Sequence, residues 1–210
     1  YLLNCENGTL DLRTMQFRDH NPEDRLTKMA HVSYDPAATC TRFERYIDEI
    51  MSGDTERACF LQKALGYAVS GDTRHECMFF LYGETTRNGK GTLMESEDIA
   101  RLAGIRFANI SEPSRGLVLN AAQVKSMTGN DTLNARFLNE NSFDFQPQFK
   151  LYVNTNYLPV ISDMTLFSSG RILIIPFDRH FEEWEQDKTL KAAFAEPEAK
   201  SAILNWLLKG

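Results

Sequence analysis

No stretch of the chain stays apolar for the roughly 20 residues that a membrane-spanning helix needs. The first residues carry no charged-then-apolar targeting pattern, so a cytoplasmic protein with no membrane contact is expected. Cysteine is sparse: Cys5, Cys40, Cys59 and Cys77 are scattered and form no Cys-x-x-Cys pair. That usage fits reduced, mostly buried thiols and not a disulfide framework. His20, His31 and His75 lie too far apart in sequence to suggest a metal site. An excess of basic charge is missing too. With 23 Lys and Arg against 29 Asp and Glu, the net charge of −6 excludes a uniformly basic surface but not a local basic groove.

What remains is an ordinary globular composition, 42% hydrophobic and 25% charged. A chain of 210 residues suffices for one large domain, or for a small one joined to a medium one.

One stretch organises the rest. Cys77-Met78-Phe79-Phe80-Leu81-Tyr82 reads as a buried strand; Gly83-Glu84-Thr85-Thr86-Arg87-Asn88 breaks it, and Gly89-Lys90-Gly91-Thr92 opens a helical pattern. A strand, a glycine turn and a helix start form the context in which backbone N–H groups curl around phosphate oxygens. Lys90 would then reach the β- and γ-phosphates, and the Thr92 hydroxyl would ligate magnesium. The spacing departs from the common phosphate loop. Five residues separate Gly83 from Gly89 where four are usual, and Gly91 takes the place of the Ser or Thr that normally follows the lysine. Read alone, the same string also fits a glycine-rich turn with a solvated lysine.

Residues 1–35 read as short strands and turns, with Asn7-Gly8 a hairpin signal and a short strand around residues 29–34. A helix follows from Thr41, with Phe43, Tyr46, Ile47 and Ile50 on one face. A second, capped by Asp54 or Thr55, has Phe60, Leu61, Ala64, Leu65 and Ala68 as apolar positions. After the phosphate-loop string the pattern predicts a helix over 93–102, a strand over 105–110 and a helix over 117–127. A hairpin then joins 132–138 to 142–145, and strands follow over 149–153 and 171–177. The tail from Asp187 to Lys209 reads as an amphipathic helix or helix pair. Glu112, where a strand runs out, is either a magnesium or water-polarising carboxylate or a helix cap. Asn154-Thr155-Asn156 lies at a strand's C-terminal tip, the place where open α/β sheets bind ligands.

In this order the pieces resemble the helicase part of phage and plasmid primase–helicases, superfamily 3 members of the AAA+ ring ATPases. Residues 1–72 resemble that family's small N-terminal α+β module, a hairpin followed by a helical pair. Residues 73–210 resemble its P-loop NTPase domain, an α/β fold with a parallel central sheet and a β-hairpin insertion. Asn109-Ile110-Ser111-Glu112 stands at the acidic motif, and Lys125 through Phe149 at the segment carrying the channel-facing hairpin. Tyr152 through Pro159 resembles the sensor motif, and Gly170-Arg171-Ile172 the strand led by an arginine finger.

The resemblance implies ATP as substrate with Mg2+, single-stranded and forked DNA as partners, and a homo-oligomeric, hexamer-type ring. It also implies a primase domain in the same full-length protein. Gly83, Arg87, Asn88, Gly89, Lys90, Gly91 and Thr92 would hold the nucleotide, and Thr92 and Glu112 the metal. Glu112 would activate water, Asn156 orient it, and Arg171 act on a neighbour's nucleotide; Lys125 and Arg136 would contact DNA. The expected hairpin tip, Asn139-Glu140-Asn141, is neutral to acidic where a DNA-gripping loop favours cations. Two other readings compete. Gly-Lys-Gly-Thr also occurs in nucleotide kinases, although no Arg-rich lid is present, and a degenerate nucleotide- or DNA-binding scaffold would keep the fold without hydrolysis.

Overall fold

The computed structural model describes residues 1–95, 106–111, 113–129, 132–135, 143–161 and 163–210. The chain opens with an antiparallel three-stranded sheet: β1 (Leu2–Cys5), β2 (Gly8–Asp11) and β3 (Gln16–Arg18), in the order β1-β2-β3. The β1–β2 turn falls on Glu6-Asn7, and Cys5 pairs with Gly8. A Cβ on Gly8 would sit 2.5 Å from the Arg18 carbonyl oxygen, so only glycine lets β3 approach. The strand expected around residues 29–34 is not formed. That segment meets the first sheet through only two backbone bonds, Ala30 N–H to Asn4 and Glu6 N–H to Val32, enough to bury Ala30 and Val32 but not to make a ladder.

Helix α1 (Thr41–Ile50) buries Phe43, Tyr46, Ile47 and Ile50, as its period requires. Helix α2 (Thr55–Val69) starts on Asp54, whose carboxylate accepts from the Arg57 N–H. Leu61, Ala64, Leu65 and Ala68 are buried, but Phe60, expected in the core, is 39% exposed. It lies just off the apolar stripe, beside Leu61, and each step along a helix turns about 100°.

The main sheet has four parallel strands in the order β11-β4-β9-β5. They are β4 (Met78–Tyr82), β5 (Phe107–Ser111), β9 (Lys150–Thr155) and β11 (Ile172–Pro176). Parallel strands covered on both faces read as unbroken apolar runs, which is why 78–82 shows no alternation. The pleat still sorts the two sides. Phe79, Leu81, Phe107, Tyr152 and Ile175 join α1, α2 and the C-terminal helix in one core. Met78, Phe80, Leu151, Val153 and Ile172 face Val124 and Leu166 in the other. Tyr152 stacks between Phe79 and Phe107 at centroid distances of 4.9 and 4.6 Å. Its buried hydroxyl donates to the Ala64 carbonyl, and this ties α2 to the sheet.

Short elements fill the connections. Helix α3 (Lys90–Glu95) follows β4. The helix expected over 117–127 is instead strand β6 (Val118–Leu119), the cap Asn120, and helix α4 (Ala121–Thr128). β6 finds a parallel partner in β10 (Val160–Ile161), and a partner 42 residues away leaves no trace in local periodicity. β7 (Leu133–Ala135) pairs antiparallel with β8 (Phe143–Phe145). Helix α5 (Thr165–Ser168) precedes β11. The tail forms a helix pair, α6 (Leu190–Phe194) and α7 (Pro197–Leu208), with Phe194, Ile203, Leu204 and Leu207 in the core. Among the described residues no helix is long and apolar enough to cross a membrane.

Candidate functional site

The strand order puts β9 directly beside β4, so the tip of one and the loop leaving the other share the C-terminal edge of the sheet. There the Lys90 ammonium donates to the Asn156 side-chain oxygen at 2.8 Å and to the Gly83 carbonyl at 3.1 Å. Lys90 is 3% exposed and Asn88 4%. The Asn88 amide donates to the Thr85 carbonyl at 2.6 Å, and its oxygen lies 3.4 Å from the Lys90 backbone N–H, so the side chain braces the loop internally. A Cβ on Gly83 would fall 2.3 Å from the Asn88 amide nitrogen, 2.7 Å from the Phe177 carbonyl and 2.8 Å from the Lys90 ammonium. Glycine there is what lets lysine and asparagine close over the strand end.

The residue that lengthens the loop is accommodated at Arg87 and Gly89. Both are left-handed, with φ of 57° and 86°. The bulge is pinned outward: the Arg87 carbonyl accepts from the Phe181 N–H at 2.8 Å, and a His180 ring nitrogen lies 2.9 Å from the Thr86 carbonyl. From behind, the Tyr46 hydroxyl donates to the Gly89 carbonyl at 2.6 Å, and a Cβ on Gly89 would strike Ile50 at 2.4 Å. Burial raises the Tyr46 pKa, so its hydroxyl keeps its proton as a donor.

Two cavities flank the loop. The first, about 450 Å³, is lined by Thr86, Arg87, Asn88, Lys90, Gly91, Ser111, Asn154, Thr155 and Asn156. The second, about 380 Å³, lies between α1 and the segment leading to α6; it is lined by Arg42, Arg45, Tyr46, Glu49, Phe181, Gln186 and Leu190, with Arg87, Gly89 and Thr92 at its inner end. Thr92 therefore lines the second cavity while Gly91 lines the first. Two steps along a helix turn a residue by about 200°, so Lys90 and Thr92 do not face the same side.

Arg171 stands apart. It precedes β11 at the N-terminal edge of the sheet, donating to Glu76 at 2.6 Å and to the Thr128 hydroxyl at 3.0 Å. The five residues of β4 put roughly 16 Å of strand between that edge and the loop. Lys125 is exposed and pairs with Asp163 at 3.3 Å. Glu112, Arg136, the hairpin tip 139–141 and most of the helix expected over 93–102 lie outside the described residues. Asn154 and Ser111 join the first cavity in addition to the site residues expected from the sequence. Tyr46 was legible only as an apolar-face residue, yet a tyrosine where a leucine would pack equally well signals that its hydroxyl has a partner.

The opposite edge of the sheet holds a second polar cluster. Lys150, 2% exposed, donates to the Ser70 carbonyl and lies 4.5 Å over the Tyr67 ring. Arg106 donates to the carbonyls of Val69 and Leu2. Burial, and then the charge of Arg106, lower the Lys150 pKa to about 7.

Comparison with known proteins agrees with this architecture. Residues 1–52 match the family described as "D5 N terminal like". The chain is 27% identical over 224 residues to "Putative helicase L207/L206" of Acanthamoeba polyphaga mimivirus, covering 91% of this chain and 23% of that protein. It is 40% identical over 135 residues to "Putative helicase 022R" of Frog virus 3, covering 62% of this chain and 13% of that protein. The chain thus spans a quarter or less of these relatives. Among solved structures, the apo NrS-1 C-terminal region superposes with a TM-score of 0.64 at 13% identity, covering 85% of this chain and 48% of that one. A second apo form gives 0.61 at 12% identity, covering 84% and 47%. The likeness to both is one of fold. The curated relatives are viral proteins named putative helicases, and the first 52 residues match the model of a D5-type N-terminal module, in line with the resemblance read from the motif order.

Proposed function

We propose that this chain is the ATP-hydrolysing motor segment of a DNA helicase, part of a primase–helicase encoded by a phage, virus or mobile element. In this reading residues 73–210 are a superfamily 3, AAA+-type P-loop domain working in a hexamer-type ring in the host cytoplasm, and residues 1–72 are its N-terminal module. The observation that carries the reading is the buried Lys90 ammonium held between Gly83 and Asn156 at the mouth of a cavity of about 450 Å³.

That cavity suits a triphosphate. Among the described residues that line it, Arg87 and Lys90 are cationic and none is acidic. The oxygens of Ser111, Asn154 and Thr155 are hard donors of the kind a hydrated Mg2+ accepts, alongside Glu112, a ligand that the resemblance implies; Thr92, the other implied ligand, lines the second cavity. Bound there, magnesium would neutralise charge on the β- and γ-phosphates. Lys90 positions the same phosphates, Asn156 orients the attacking water and Glu112 polarises it. Arg171 serves a neighbour's nucleotide, in keeping with its separation from Lys90 within one chain. The β7–β8 pair faces the channel, and Lys125 and Arg136 contact the DNA backbone, where phosphates attract cations regardless of sequence.

The test is strand separation of a forked duplex with ATP and Mg2+. Wild type unwinds, Lys90→Ala and Arg171→Ala do not, and a mixture of the two variants regains part of the activity, because some interfaces then receive one intact residue from each neighbour. A mixture no more active than either variant would argue against a shared site.

A further inference from the structure

We infer that Trp184 of one copy docks into an apolar groove beside β11 of a second copy, and that this contact joins the copies head to tail. The inference rests on the ring reading above and deepens it by naming the two surfaces that meet. The groove, about 210 Å³, lies between α5, β10 and the edge strand β11, with Leu158, Pro159, Met164, Phe167, Ile172 and Ile174 among its walls. Every described side chain that lines it is apolar, so it offers nothing to a phosphate or a metal ion. It is also smaller than the ~300–1,000 Å³ of small-molecule pockets. Its size suits one large side chain. The lip is apolar too: Met164 is 66% exposed, and Leu158 and Val160 are exposed beside it.

Trp184 is the knob. At 84% it is the most exposed large apolar side chain among the described residues. It sits on one short turn, Glu183–Glu185, held by the Arg179–Glu185 pair at 2.9 Å and by the Gln186 amide, which donates to the Phe181 carbonyl at 3.1 Å. A tryptophan presented on a braced turn is the kind of anchor that dominates protein interfaces once a pocket takes it out of water.

Charge selects the partner. Glu182 and Glu183 flank the indole, and neither is in an ion pair among the described residues. Two carboxylates there repel a phosphodiester backbone, so the turn does not suit stacking on a nucleic-acid base. They do suit the groove's rim. Arg115 lies 5.0 Å over the ring of Tyr157, next to Leu158, and has no carboxylate partner among the described residues. The neighbouring Lys125 and Asp163 pair with each other, which leaves Arg115 as the surplus charge.

Knob and groove are different surfaces of one chain, so the contact is heterologous and the series of copies ends only when it closes on itself. Ile172 of the groove follows Arg171 directly. Trp184 stands three residues beyond Phe181, whose N–H bonds the Arg87 carbonyl of the phosphate loop. Docking therefore brings Arg171 of one copy to the phosphate-loop side of the next.

Sedimentation velocity of the chain with ATP and Mg2+, over a concentration series, tests this. Wild type is expected to assemble. Trp184→Ala and Met164→Glu change exposed positions, so both should fold, and each should weaken assembly roughly tenfold or more. Trp184→Phe keeps an aromatic knob and should weaken it less. Mixed in equal amounts, Trp184→Ala and Met164→Glu should form a dimer and nothing larger, because only the groove of the first and the knob of the second are intact. Wild-type assembly by either single variant, or a mixture that stays monomeric or grows past the dimer, would overturn the knob-and-groove assignment while leaving the ring reading standing. Wild type that stays monomeric at every concentration would remove the ring reading, and this inference with it.

Discussion

Lys150 gives the sharpest quantitative prediction. It begins β9, the strand whose far end carries Asn154 and leads to Asn156, and its ammonium is buried against Ser70, Tyr67 and the Arg106 charge. Burial first, and Arg106 second, bring its pKa from 10.5 to about 7. Between those values the unfolded chain binds a proton that the folded chain does not, so stability rises with pH across the window and is lowest below pH 7. Each pH unit in which the two states differ by a full proton is worth about 1.36 kcal/mol. Allowing for partial titration near pH 7, the gain from pH 7 to pH 9 is about 2 kcal/mol. Lys150→Met keeps most of the side-chain volume and removes the titrating group. Urea unfolding of both proteins at pH 7, 8 and 9 reads the effect; the lowered N-terminal amine is present in both, and the Lys150 charge is the smallest of its causes, after burial, Arg106 and Arg13. With a slope of roughly 2 kcal/mol per molar urea, the wild-type midpoint should climb about 1 M relative to Lys150→Met. Midpoints that move in parallel would mean that Lys150 stays charged in the folded protein, and the burial argument would be wrong.

Gly83→Ala forces a methyl group against the fixed Phe177 carbonyl and the Asn88 and Lys90 side chains; it should destabilise the fold by about 1–3 kcal/mol and abolish ATP binding, read by thermal melting and calorimetry. Tyr46→Phe removes one buried hydrogen bond, but the Gly89 carbonyl still accepts from Leu93 at 3.1 Å. The loss should be about 1 kcal/mol, a melting shift of roughly 2–4 °C, and an unchanged melting temperature would deny the contact. Arg171→Ala breaks a partly exposed pair with Glu76, so stability should fall by less than about 1 kcal/mol, whereas ATP turnover of the assembled protein should fall by ~10³ or more.

Local signals carried the reading wherever the physics was local. The run 78–82, the glycines around Lys90 and the amides after β9 lie within a few residues of the geometry they specify. α1 showed its buried face at 3.6-residue spacing. The failures share a cause in distant pairing. Val118–Leu119 looked helical because its strand partner, Val160–Ile161, lies elsewhere in the chain. The segment 29–34 carried apolar residues but was offered only two backbone–backbone bonds by the first sheet. The second cavity draws its walls from residues 42–49, 87–92 and 181–190, so no motif in one window could announce it. Thr92 lines the second cavity and not the first, because two steps along a helix from Lys90 turn a residue by about 200°, which a count along the string does not show.

In the proposed function Lys90 and Asn156, 2.8 Å apart, handle a γ-phosphate together. Phosphate release from ATP, measured with and without single-stranded DNA for wild type, Lys90→Ala and Asn156→Ala at matched folded fractions, tests it most directly. DNA-stimulated turnover is expected in wild type, and background release in both variants. Turnover in Lys90→Ala equal to wild type would contradict it.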